Sequence, residues 1–127
     1  MLTLTIKRKW FDMILLGEKK EEYREIKPFY DSRIMSELNG STHTFISANA
    51  MKFFLSTHKV SIGQVKLRNG YTSTSPEMIA ECTIRIGTGK KEWGADPDTE
   101  YYVLEIKKIV WNSIAGKGGN IGSCKYE

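Results

Sequence analysis

The chain has 127 residues, 40% of them hydrophobic, a length and composition that fit one globular domain with a real core. Nineteen Lys and Arg against 15 Asp and Glu leave a net charge of +4, which mildly favours polyanionic partners but falls short of a committed nucleic-acid binder. Cys82 and Cys124, far apart and in no Cys-x-x-Cys pattern, suggest neither a disulfide framework nor a zinc site, so a reducing cytoplasm is the expected setting. Met1 to Trp10 carries three basic residues within a strand-like alternation, which argues against a signal peptide, and no apolar run is long enough to span a membrane.

In chain order, Leu2, Leu4 and Ile6 alternate with threonines, the period-two signature of a half-buried strand. From Lys9 to Leu16 the apolar residues Trp10, Phe11, Ile14 and Leu15 recur at helical spacing, with Trp10 and Phe11 expected in the core. Gly17 stands where a left-handed helix stop is wanted. Glu21 to Ile26 reads as extended, and Pro28 opens a second helix over Phe29 to Leu38 that ends at Asn39-Gly40-Ser41. In Thr42 to Lys59, His43 to Ser47 has the character of a strand and Ala50 to Leu55 that of a helical turn or two.

Further on, Val65 and Leu67 alternate with Lys66 and Arg68 up to the turn dipeptide Asn69-Gly70. Met78 to Ile86 alternates without a break, and Glu100 to Val110 returns as a final strand rich in Tyr, Val, Leu and Ile. Five or so strands and two or three short helices, not alternating as in a doubly wound fold, predict an α+β domain over residues 1–111. It would be built on a mainly antiparallel sheet or small β-barrel, followed by a flexible tail over 112–127. Gly87-Thr88-Gly89-Lys90 lacks the spacing of a phosphate loop, and no cofactor or metal is implied. His43 and His58 have no metal-ligand spacing with each other or with the cysteines.

The densest chemistry lies in Gly17-Glu18-Lys19-Lys20-Glu21-Glu22-Tyr23-Arg24, of skeleton Gly-x-Lys-x-x-Glu-x-Arg. On a strand, Glu22 and Arg24 share one face while Glu21 and Tyr23 share the other. The pattern resembles the hallmark of the ASCH domain family in the PUA-like superfamily, with Gly17, Lys19, Glu22 and Arg24 filling it completely. Ile26-Lys27-Pro28-Phe29-Tyr30, Leu67-Arg68-Asn69-Gly70-Tyr71, Gly87-Thr88-Gly89 with Glu92-Trp93-Gly94-Ala95, and Tyr101-Tyr102-Val103-Leu104 also look like its small bacterial and phage members. The resemblance implies a PUA-like barrel with a charged cleft beside the first helix and a role in binding RNA or nucleotide-like ligands. A small enzymatic branch hydrolyses N4-acetylcytidine with a threonine in the slot that Glu22 fills here, and ribonuclease activity is also attributed to the family.

The residues leave each role open. Lys19 is a phosphate contact, a desolvated lysine able to act as a base, or an ordinary solvated lysine in a charged turn. Glu22 is a general base or a holder of Arg24, and Arg24 has a fork suited to phosphate. Arg68, Asn69 and Tyr71 would form the far wall of the cleft, with Tyr71 or Trp93 stacking on a base, unless the basic residues are solvated and Trp93 plugs a barrel end. Three functions follow: an RNA- or nucleotide-binding module, a small hydrolase of RNA or a modified nucleoside using Lys19 and Glu22, or a protein-interaction module in which the motif serves only the fold.

Overall fold

A computed structural model describes residues 1–41 and 43–114. The element order is β1 (Leu2–Thr5), α1 (Arg8–Leu15), β2 (Glu21–Arg24), α2 (Pro28–Asn39), α3 (Ala48–Leu55), β3 (Val60–Arg68), β4 (Glu77–Thr88) and β5 (Glu100–Asn112), with a 3-10 turn at Lys91–Trp93. The five strands form one strongly curled half-barrel in the order β1-β3-β4-β5-β2. Only β1 and β3 run parallel; the other pairings are antiparallel. The architecture is thus the expected α+β curled sheet with three short helices. No helix among the described residues is long and apolar enough to cross a membrane.

The cleanest alternation in the sequence becomes the central strand: Met78, Ala80, Cys82, Ile84 and Ile86 all face the core from β4. Phe11 and Ile14 from α1, Ile34 and Leu38 from α2, and Met51 and Leu55 from α3 close over that face. Burial pushes the Cys82 thiol up to about 12, so it is an inert core residue. β3 starts at Val60, earlier than its alternation suggests, and passes a bulge between Ser61 and Gly63, where Gly63 takes φ +78°.

Residues 43–47 are not a strand. The Asn39 side chain accepts from the Phe45 N–H at 2.7 Å and donates to the Phe45 carbonyl at 3.1 Å, so the backbone groups that a ladder would use are satisfied by one amide. Ser47 then caps α3, its hydroxyl accepting from Ala50 N–H. The His43 and His58 rings stack on Phe45 and Phe54 respectively, a packing role. At the other end β5 runs past residue 111 to Asn112, and the Ser113 hydroxyl accepts from Glu77 N–H at 3.0 Å, so the packed domain passes the expected boundary. Of the expected flexible tail, residues 115–127 lie outside the described residues.

The two edge strands, β1 and β2, lie on either side of the gap in the half-barrel. Arg24 on β2 reaches across it and donates from Nη2 to the Thr5 carbonyl on β1 at 2.9 Å. The motif therefore sits at the seam.

Candidate functional site

The helix stop delivers the first motif residue. Gly17 takes φ +81°, its N–H donates to Ile14 O, and Glu18 N–H donates to Met13 O, the paired bonds of a Schellman ending. Lys19 N–H also donates to Met13 O, which turns the chain inward, and Lys19 as a residue is 1% exposed. Its ammonium meets the Glu21 carbonyl, the Trp93 carbonyl at 2.7 Å and Glu22 Oε1 at 3.2 Å, so its three N–H donors are matched by three oxygens. Trp10 and Tyr23 rings flank the charge, with centroids 5.1 and 4.8 Å away. Burial lowers its affinity for a proton, and Glu22 opposes that shift.

Glu22 and Arg24 do share a face of β2. Glu22, 5% exposed, gives Oε1 to Lys19 and Oε2 to Arg24 Nη1. Arg24 also donates to the Tyr23 and Thr5 carbonyls. Three of its five N–H groups are thereby used, and two have no partner among the described residues. On the opposite face Tyr23 donates to Glu21 Oε1 at 2.8 Å and accepts from Lys90 N–H at 2.9 Å, tying β2 to the loop that carries Trp93. Two cations and one carboxylate thus stand at the seam with a surplus positive charge.

Above them opens a cleft of about 240 Å³ lined by Thr5, Ile6, Lys7, Trp10, Glu22, Tyr23, Arg24, Trp93 and Gly94. Trp93 stands in it half-buried, with Lys90 Nζ over its ring at 4.6 Å. Trp10, expected in the core with Phe11, instead forms the other aromatic wall and carries Lys9 Nζ at 4.6 Å. Trp10 stands one helical turn before the buried Ile14, on the apolar side of α1, and the helical period alone does not separate a core position from a cleft wall. Gly94 (φ +98°) lies so close to Trp10 that a Cβ would stand 3.0 Å from Cζ2.

Arg68 ends β3 and Asn69 and Tyr71 fall on the turn after it, all three outside the residues that line this cleft. Asn69 donates to the Ile6 carbonyl at 3.0 Å and so braces a cleft residue from behind. Arg68 donates to the Thr72 carbonyl, and its Nε forms an ion pair with Glu77 Oε2 at 2.7 Å that lacks hydrogen-bond alignment. Tyr71 is 87% exposed at the turn. The structure therefore brings together Lys19, Glu22, Arg24 and Trp93, adds Trp10, Tyr23 and Gly94, and leaves the other three apart. Among the described residues no cluster of His, Cys, Asp and Glu is arranged to hold a metal ion.

Comparison with protein-family models, with curated proteins and with solved structures gives no match.

Proposed function

We propose that the chain is a PUA-like module of the ASCH type that binds RNA or a nucleotide-like ligand in the seam cleft. The observation that carries this reading is the Lys19–Glu22–Arg24 trio, net positive and buried, beneath a cleft walled by Trp10 and Trp93. Its charge suits a phosphate, and its indoles suit a planar base. Arg24 makes the phosphate contact through its two remaining donors, while Lys19 holds Glu22 and the Trp93 loop in place. Both Glu22 oxygens already accept from cations, which favours recognition over proton transfer.

Fluorescence anisotropy with a labelled single-stranded RNA pool over a salt series tests the proposal. Affinity should fall with rising salt with a slope of about −0.7 per phosphate neutralised. Arg24→Ala should weaken binding and flatten that slope. No binding to the pool, or binding indifferent to salt, contradicts it.

One observation favours a second reading, a small hydrolase of RNA or a modified nucleoside: burial makes Lys19 readier to give up its proton. Turnover of such a substrate that persists in Lys19→Ala and Glu22→Ala would eliminate that reading.

A further inference from the structure

Two cavities meet at Arg24. The cleft of about 240 Å³ lies on one side, and a second cavity of about 370 Å³ opens on the other against Tyr30, Asp96 and Tyr101. They share Tyr23, Arg24 and Gly94 as a common wall. The first alone falls below the roughly 300–1,000 Å³ of ordinary small-ligand sites, and joined across that wall the pair come within it. A ligand that fills this trough touches both.

The chemistry alternates along the trough. Trp10 and Trp93 offer aromatic surface in the first cavity, and Tyr30, Tyr23 and Tyr101 offer it in the second, the last two with ring centroids 5.7 Å apart. Between them stands one guanidinium, whose Cζ is 5.9 Å from the Tyr30 ring centroid. Glu25 and Asp96 border the second cavity and repel a further anion there, while their carboxylates can accept from the amino group of a base. The order is therefore a planar group, an anion and a second planar group that bears hydrogen-bond donors.

Resting on the nucleotide-binding reading above, we infer that the trough takes two consecutive nucleotides of a single strand. One base enters each cavity, and the linking phosphate lies on Arg24. Lys9 and Lys90, which now cover the two indoles, are placed to turn outward to the flanking phosphates when a base enters.

Calorimetric titration of the full chain at one low salt concentration with adenosine 3′-monophosphate, the dinucleotide ApA and the trinucleotide ApApA tests this. ApA carries less negative charge than the 3′-monophosphate, so a gain in affinity reports the second base and not charge. ApA should bind about tenfold tighter or more, the effect of one stacked base, and ApApA should add much less than that. Tyr30→Ala and, separately, Tyr101→Leu should erase the advantage of ApA, so that it binds the variant no tighter than the 3′-monophosphate does. The ligand series with the unaltered protein decides the matter even if one variant fails to fold. Equal affinity for the 3′-monophosphate and ApA overturns the two-nucleotide trough while leaving nucleotide binding intact. Binding of none of the three overturns the underlying reading, and the inference with it.

Discussion

Replacing Glu22 with glutamine changes one charge and almost no volume, and it isolates what the carboxylate does at the seam. Glu22 faces Lys19 and Arg24, and the side chains of the three are 6, 0 and 13% exposed respectively. Glutamine can accept from one cation, but its amide N–H₂ then faces the other, and two positive charges are left buried together without a counter-ion. Breaking a buried ion pair from one side costs about 3–5 kcal/mol. Against a total of roughly 5–15 kcal/mol for a domain of this kind, that is about a fifth of the stability or more. Urea denaturation followed by tryptophan fluorescence should show a large fall in midpoint with an unchanged slope. Lys19→Met in the Glu22→Gln background should restore part of the loss, because the two residues form one unit. A Glu22→Gln cost below about 1 kcal/mol, the value of a surface pair, would refute the claim that this trio is buried and mutually dependent.

The proton affinity of Lys19 adds a pH signature. Since burial lowers it in the folded state, the unfolded chain binds more protons there between the lowered folded value and the ordinary 10.5, and stability should rise with pH across that window. Lys19→Met should flatten the rise in urea midpoints measured below about pH 9; above that the Cys82 thiol and then the phenols of Tyr23 and Tyr102, all raised by burial, ionise first in the unfolded chain and oppose the rise. Gly89→Ala should cost about 1–3 kcal/mol by urea denaturation. The new Cβ would lie 2.5 Å from Tyr23 Cζ and 2.9 Å from the Ala95 Cβ, and Tyr23 is held by bonds to Glu21 and Lys90 and cannot yield. Tyr102→Phe should cost about 1–3 kcal/mol in the same assay, because the buried Tyr102 hydroxyl donates to Asp31 Oδ1 at 2.5 Å and Lys52 reaches only the other carboxylate oxygen.

Local chemistry made several elements legible. Unbroken alternation predicted β4, Gly17 marked the helix ending now seen at φ +81°, and Pro28 opens α2 in its first turn. The pairing of Glu22 with Arg24 on one face of β2 also followed from strand geometry alone. What remained hidden depends on distant chain. Lys19 is buried because the Trp93 carbonyl, 74 positions away, folds onto it, and no window around Lys19 contains that information. Residues 43–47 carry strand-like composition but lose their ladder groups to the Asn39 amide. Helical period separates the apolar side of α1 from its polar side, yet it does not tell a core position from a cleft wall, and so Trp10 read as core. Arg68 closes β3 and Asn69 and Tyr71 follow it, but Asn69 turns back onto the Ile6 backbone, Tyr71 stands exposed, and none of the three lines the cleft.

The central claim is that the seam cleft receives a base between Trp10 and Trp93. The chain's third tryptophan, Trp111, is 43% exposed near the far end of β5, on the order of 30 Å along the strand from Tyr101. Side-chain indole N–H resonances from ¹⁵N-labelled protein, followed while ApA is added, read all three at once. The account predicts saturable shifts of the Trp10 and Trp93 indoles while Trp111 stays in place. Shifts confined to Trp111, or no indole shift at a concentration where calorimetry reports binding, would contradict it.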